Sequence, residues 1–68
     1  MSMAASDARP SIFALMAKLT AEGRQKLGER RRTFKAQGAE ERLVEDGKGG
    51  WRLEYWTGKK KAGELKLT

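Results

Sequence analysis

The sequence contains no cysteine and no histidine among its 68 residues, and it has a single proline. A chain without cysteine forms no disulfide and no thiolate metal site. A chain without histidine lacks the commonest general base and metal ligand. The two glycine-rich phosphate loops, G-x-x-x-x-G-K-S/T and G-x-G-x-x-G, are also missing. We therefore predict a protein that is not an enzyme and that holds no metal and no cofactor.

Long apolar runs are absent as well. The longest one covers residues 12–17, whereas a transmembrane helix needs about 20 consecutive apolar residues. The N-terminus has no basic segment followed by a long apolar core, which is the pattern of a secretory signal. The sequence therefore predicts a cytoplasmic protein.

The shortness of the chain limits its stability. A domain of this size buries only about 60% of the surface of its unfolded chain. Small proteins without disulfides or metals often gain stability by forming oligomers. The sequence therefore leaves a homodimer open.

The first half of the sequence is predicted to be helical. Residues 1–10 are mostly small or polar, which is typical of a disordered tail, and a single domain follows over residues 11–68. Apolar or small side chains then recur at helical spacing along one face. With Ser11 or Asp7 as the N-cap, this pattern predicts one long helix over residues 11–37.

Two features favour an interrupted helix as the alternative. Gly23 and Gly28 each cost about 1 kcal/mol relative to alanine inside a helix, and Thr20 can cap the start of a second helix. A break near residues 20–23 would turn the long helix into a helix pair. Gly38 suits the end of the helix in either case, because glycine adopts positive φ without steric cost.

The second half of the sequence is predicted to form strands. Apolar and polar residues alternate most clearly in WRLEYWT, and the glycine-rich stretch before it is typical of a hairpin turn. A basic loop is predicted over residues 58–63. The three predicted strands cover residues 39–45, 51–57 and 64–68. The fold class is therefore α+β, with an N-terminal long helix packed on a three-stranded antiparallel β-meander.

The core is predicted between the helix and one face of the sheet, on which alternation places Trp51, Leu53, Tyr55, Leu65 and Leu67. A helix over residues 11–37 would be about 40 Å long, whereas a six-residue strand spans only about 20 Å. The end of the helix would overhang the sheet. Its apolar side chains would then need cover, most simply from a second copy of the chain.

Positive charge is concentrated in the second half of the predicted helix. The chain has 15 Lys and Arg against 9 Asp and Glu, and residues 24–35 hold six of these cations with one carboxylate, a net charge of +5. Such positive density attracts polyanions, of which nucleic acid is the commonest. Arginine suits phosphate because its planar fork donates two parallel hydrogen bonds. Arg30 falls on the apolar face itself, which indicates contact with a partner or a snorkelling stem.

Trp56 is predicted on the opposite face of the sheet, together with Arg52, Glu54 and Lys66. This face meets solvent in a sheet that carries helices on one side only. A tryptophan flanked by cations can stack on an unpaired base or anchor a protein interface. A cation–π contact with an arginine is the structural alternative.

Four carboxylates, Glu40, Glu41, Glu45 and Asp46, interrupt the basic character of the chain. They can pair with the basic helix of the same chain or of a partner subunit, and exposed pairs of this kind contribute about 0–1 kcal/mol each. We expect this acidic end to face away from a bound polyanion.

Two functions follow from these features. The first is a small basic nucleic-acid-binding accessory protein, which contacts phosphates through its Arg-rich helix and its Lys-rich loop. The alternative is a protein-interaction module, a small adaptor or inhibitor of the phage or plasmid type that docks on an acidic surface of a larger protein. The residues predicted to bind nucleic acid are Arg24, Arg31, Arg32, Lys35, Arg52, Trp56, Lys59, Lys60 and Lys61. The residues predicted to form a protein interface are Leu27, Arg30, Phe34 and Trp56.

Overall fold

Two helices pack against one face of a three-stranded sheet in the computed structural model, which describes residues 9–67. The elements are α1 (Ile12–Met16), α2 (Ala21–Ala36), β1 (Glu40–Glu45), β2 (Trp51–Thr57) and β3 (Lys60–Lys66). The strands pair antiparallel in the order β1-β2-β3. The predicted α+β class and the antiparallel meander are therefore confirmed. Of the predicted disordered tail, only residues 9 and 10 lie within the described part of the chain.

The prediction of one continuous helix over residues 11–37 is wrong, because the chain is interrupted between Met16 and Ala21. Thr20 is extended, and its hydroxyl accepts a hydrogen bond from the N–H of Gly23 at 3.0 Å. This bond satisfies one of the amides that a helix start leaves unpaired. The alternative of a helix pair with Thr20 as the second cap is the arrangement found.

The N-cap of α1 is Ser11, whose hydroxyl accepts from the N–H of Ala14 at 3.0 Å. The other predicted cap, Asp7, lies outside the described residues. After α1 the chain turns, which lets Leu15 enter the core, where it is 2% exposed.

The lengths of α2 and of the strands match once the helix is broken. With 16 residues, α2 is about 24 Å long, and the seven residues of β2 span about 23 Å. No overhanging apolar end is left on α2. The argument for a homodimer from a length mismatch therefore no longer holds.

Gly38 ends α2 as predicted. Its φ is +83°, and its N–H donates to the carbonyl of Lys35 at 3.0 Å while that of Ala39 donates to Phe34 at 3.2 Å. This pair of bonds is the Schellman arrangement, which satisfies the last carbonyls of a helix. The tight turn delivers the chain directly into β1.

The core lies where it was predicted, between the helices and the inner face of the sheet. Its buried side chains are Leu15, Leu27, Leu53, Tyr55, Leu65 and Leu67. Trp51 is half-buried against this cluster. Leu53 and Tyr55 are fully buried at the centre of β2, which explains why the pattern of this strand was the clearest in the sequence.

Phe34 covers the part of the core near the end of α2. Its ring stacks on the ring of Tyr55 with centroids 4.4 Å apart and planes 9° from parallel. The same ring lies directly over Gly63 of β3, so that a Cβ at position 63 would be 2.6 Å from a Phe34 carbon. A glycine at this position of the strand is what allows the close approach.

The predicted basic loop over residues 58–63 is also wrong, because β3 begins at Lys60 and pairs with β2 immediately after a short turn. Thr57 is the partner of Lys60, and Trp56 is the partner of Lys61. The register shifts before the next pair, which leaves Ala62 as a bulge. A strand start rich in Lys and Gly has low β propensity, so its sequence has the composition of a loop.

The Thr20 cap is testable by substitution. We expect Thr20→Ala to lower the free energy of unfolding by about 1 kcal/mol, because it leaves the N–H of Gly23 without its partner. Thr33→Ala is the matched control, since the Thr33 hydroxyl donates only to the carbonyl of Glu29 in the middle of α2. Urea unfolding would measure both variants. Equal stability of the two variants would show that the cap does not hold the break.

Candidate nucleic-acid interface

Arg31, a predicted phosphate ligand, forms a salt bridge with a carboxylate of the same chain. Its Nε lies 2.8 Å from Glu41 Oε2 and its Nη2 lies 3.0 Å from Oε1. The side chains of Arg31 and Glu41 are only 15% and 10% exposed. The hydroxyl of Tyr55 donates to the same carboxylate. This two-bond pair fastens α2 to β1.

The environment of Glu41 strongly favours its charged form. Burial pushes the pKa of this carboxyl upward, but the hydrogen bonds from Arg31 and Tyr55 and the charges of Arg31 and Lys35 outweigh burial and lower the pKa to about 2. Burial and the neighbouring Glu41 carboxylate raise the pKa of Tyr55. Lys35 Nζ lies 3.5 Å from Glu41 but its side chain is 53% exposed. Lys35 therefore remains accessible from solvent, whereas Arg31 does not.

A network of ion pairs covers the outer face of the sheet. Arg52 Nη2 lies 2.9 Å from Glu54, and Lys61 Nζ lies 2.6 Å from Glu64 and 3.4 Å from Glu54. The hydrogen bond from Trp56 and that from Arg52 lower the pKa of Glu54. Arg52 and Lys61 were both predicted to bind nucleic acid. Each now has carboxylate partners that a phosphate would have to displace.

Trp56 lies on the outer face, as predicted, but it is half-buried. Its Nε1 donates to Glu54 at 3.1 Å, and the guanidinium of Arg42 lies 5.0 Å from the ring centroid. One face of the indole is therefore covered by a cation. A base could not stack on that face without moving Arg42.

The remaining predicted phosphate ligands are exposed and unpaired in the described part of the chain. Arg32 lies on the side of α2 away from the sheet, and Lys59 and Lys60 lie at the β2–β3 turn. Arg24 is exposed and donates to the carbonyl of Leu19 at 2.8 Å. Arg24 thereby satisfies a carbonyl between the helices and keeps its remaining N–H groups available.

Three of these residues, Arg32, Lys59 and Lys60, lie at the same end of the molecule, and Lys35 lies there with them. α2 ends beside the start of β1, and Glu40 at that start pairs with Trp56, next to the β2–β3 turn. We call Arg32, Lys35, Lys59 and Lys60 the hairpin-end cations. The β1–β2 turn with Glu45 and Asp46 is at the opposite end, as the antiparallel pairing requires.

Most of the cations have no carboxylate partner in the described part of the chain. Within residues 9–67, ion pairs engage five of the fifteen cations, Arg31, Lys35, Arg42, Arg52 and Lys61, and four carboxylates, Glu40, Glu41, Glu54 and Glu64. Ten cations therefore face four unpaired carboxylates, Glu22, Glu29, Glu45 and Asp46, in this part of the chain. The excess positive charge lies on the surface rather than inside the ion-pair networks.

Of the predicted protein-interface residues on α2, two pack at the core and one is exposed. Leu27 is 7% exposed in the core, and Phe34 is packed on Tyr55. Neither is available as an anchor for a partner. Arg30 is exposed and lines a groove between α2 and β3.

Lys26 and Lys66 line the same groove and were not among the predicted site residues. Alternation along β3 directs the Lys66 side chain to the outer face beside Arg52, and Lys66 borders the groove because β3 is an edge strand. That Lys26 and Lys66 line one groove follows only from the packing of α2 on β3. No sequence pattern of either segment contains that information.

Other kinds of site are not visible in the described residues. No group of three His, Cys, Asp or Glu side chains within residues 9–67 is placed to hold a metal ion. Neither α1 nor α2 is long and apolar enough to cross a membrane. Comparison of the chain with protein-family models, with curated proteins and with solved structures gave no significant match.

Proposed function

We propose that this chain is a small cytoplasmic nucleic-acid-binding protein that contacts the phosphate backbone through the hairpin-end cations. The observation that carries the proposal is their lack of ion pairing: three of the four, Arg32, Lys59 and Lys60, have no ion-pair partner within residues 9–67, and the fourth, Lys35, has a side chain that is 53% exposed. Cations that already have carboxylate partners gain less from a phosphate, because those pairs must first be broken. Unpaired exposed cations release condensed counterions from nucleic acid without this cost.

The expected binding is tolerant of sequence. Base readout needs hydrogen-bonding or stacking groups that reach the bases, and the two candidates for that role, Arg52 and Trp56, are engaged with Glu54. Phosphate contacts alone position a protein on nucleic acid without specifying a sequence. The acidic β1–β2 turn at the far end would be directed away from the polyanion.

We expect Lys59→Glu/Lys60→Glu to weaken binding to a labelled 20-base-pair duplex by at least about tenfold at 50 mM KCl, because each lysine neutralises one phosphate. The slope of log affinity against log salt should become shallower by about two units. Fluorescence anisotropy between 50 and 200 mM KCl would measure both quantities.

Lys18→Glu/Lys48→Glu is the matched control for that experiment. Lys18 and Lys48 are exposed, have no ion-pair partner within the described residues and lie at the end opposite to the β2–β3 turn. The double variant changes the net charge by the same amount. We expect a smaller loss of affinity. Equal losses for the two double variants would show a net-charge effect and reject the assigned surface. Failure of the unmodified chain to bind duplex or single-stranded DNA at 50 mM KCl would reject the function.

A further inference from the structure

The two edges of the sheet differ in how their backbone groups are satisfied. The N–H of Leu67 donates to the carbonyl of Trp51 at 2.9 Å, so the alternation of an antiparallel ladder turns the backbone groups of Glu64 and Lys66 outward, away from β2. At the other edge, the outward carbonyl of Leu43 accepts a hydrogen bond from Arg9. The β1 edge is thus partly covered by the chain itself, whereas within residues 9–67 no hydrogen bond covers the outward backbone groups of the β3 edge.

A groove runs between this open edge and α2. Its volume is about 420 Å³, and its apolar lining consists of the half-buried Leu19 and the small exposed parts of Leu27 and Leu65, which are 7% and 6% exposed. A second depression of about 220 Å³ continues along α2 from Arg30 to Phe34 and Gln37. The two depressions adjoin at Arg30, which lines both.

The rim of the groove is positively charged. Lys26, Arg30 and Lys66 line it without an ion-pair partner in the described residues. The one carboxylate on the rim, Glu64, is already paired with Lys61 at 2.6 Å and lies 3.7 Å from Arg52. The rim as a whole therefore attracts negative charge.

We propose that the β3 edge binds an extended acidic peptide as a fourth strand, with apolar side chains of the peptide in the groove. Main-chain hydrogen bonds to Glu64 and Lys66 would supply affinity, and the groove beside the strand would supply specificity, as in other cases of strand addition. The regular edge after the bulge runs over residues 63–67, which are the end of β3 and Leu67 beyond it. It is about 16 Å long and accommodates about five residues of peptide.

The chemistry of the groove distinguishes between occupants. A second copy of this chain would bring the same cations against Lys26, Arg30 and Lys66, and its own charge is +6. A phosphate backbone would satisfy the cations but has no apolar groups that pack against Leu19. An extended peptide with alternating carboxylate and apolar side chains satisfies both. This binding is independent of the hairpin-end cations, which are a different set of residues.

The test uses two fluorescein-labelled eight-residue peptides, one alternating glutamate with leucine and one alternating lysine with leucine. We expect the glutamate peptide to bind the full chain at least about tenfold more tightly than the lysine peptide. Lys26→Glu/Arg30→Glu should abolish this preference, whereas Lys59→Glu/Lys60→Glu should leave most of it. Fluorescence anisotropy would measure the affinities, and amide chemical shifts of Glu64 and Lys66 would report strand addition.

Two substitutions at one position separate backbone pairing from charge. Lys66→Ala and Lys66→Pro both remove the ammonium group, but only proline also removes the outward N–H and blocks a paired strand. Proline costs no ladder hydrogen bond here because the N–H of Lys66 points away from β2. We expect the proline variant to bind the glutamate peptide about tenfold more weakly than the alanine variant. Circular dichroism would confirm that both variants are folded.

Several outcomes would overturn the proposal. The first is that the glutamate peptide does not bind. The second is that the Lys66→Ala and Lys66→Pro variants bind this peptide with equal affinity. The third is that charge reversal in the groove and charge reversal at the hairpin end weaken peptide binding equally. Oligo(dT) could also displace the bound peptide. If it does so both from the unmodified chain and from Lys59→Glu/Lys60→Glu, the groove binds nucleic acid instead.

Discussion

Glu41→Gln is expected to lower the free energy of unfolding by about 3 kcal/mol, because it leaves the mostly buried guanidinium of Arg31 without a counter-charge. The amide of the variant retains the shape of the carboxylate and can still accept from Tyr55. The loss therefore reports the charge rather than a cavity. Urea unfolding at pH 7 measures it directly.

Two further variants control for this result. Glu40→Gln removes a carboxylate from the neighbouring residue, whose pair with Arg42 is largely exposed at both side chains, and we expect a loss below about 0.5 kcal/mol. Arg31→Met/Glu41→Gln removes both charges and should regain most of the stability lost by Glu41→Gln. Equal small losses for Glu40→Gln and Glu41→Gln would show that the buried pair does not fasten α2 to β1.

The Arg31–Glu41 pair should make the free energy of unfolding decrease as the pH falls. The pKa of Glu41 is lowered from its ordinary value of 4.5 to about 2 in the folded state, so its contribution is fully present above pH 4.5 and is lost as the pH falls towards 2. A shift of this size corresponds to about 3 kcal/mol between neutral and strongly acidic pH. In Glu41→Gln this part of the acid destabilisation should disappear.

The parts of the fold that were predicted correctly depend on local patterns. β2 was predicted with its observed bounds because alternation of buried and exposed residues is readable within seven residues. Gly38 was predicted as the helix end because its need for positive φ is a property of one residue. The core followed from the same alternation, since one face of β2 and of β3 carries the large apolar side chains.

The helix prediction was wrong in its continuity and in which arginine faces inward. Gly23, Leu27 and Phe34 lie on the inner face of α2 as expected. Arg30 and Arg31 lie three and four residues after Leu27, so either of them can continue this face, and the pair with Glu41 on β1 holds Arg31 there. Arg31 is half-buried and Arg30 is exposed, the reverse of the expectation. A single sequence indicates where a break is allowed but not whether packing uses it.

The site was harder to predict than the fold because charge pairing is a tertiary property. Arg31 and Arg32 are adjacent and chemically identical, yet Arg31 is paired with Glu41 and Arg32 is unpaired in the described residues. Which arginine meets the carboxylate depends on the position of β1 beside α2. The sequence located the excess of positive charge but could not separate its structural members from the available ones.

Gly63→Ala is expected to lower the free energy of unfolding by about 2 kcal/mol, although alanine has the better backbone propensity in a strand. The added methyl group would lie 2.6 Å and 2.9 Å from two carbons of the Phe34 ring, so the ring must leave its stack on Tyr55. Gly28→Ala is the matched control, because a Cβ at Gly28 meets nothing within 4 Å and should gain about 0.5–1 kcal/mol inside a helix. Urea unfolding of both variants should thus give changes of opposite sign. A Gly63→Ala variant as stable as the unmodified chain would mean that Phe34 does not close the core over β3.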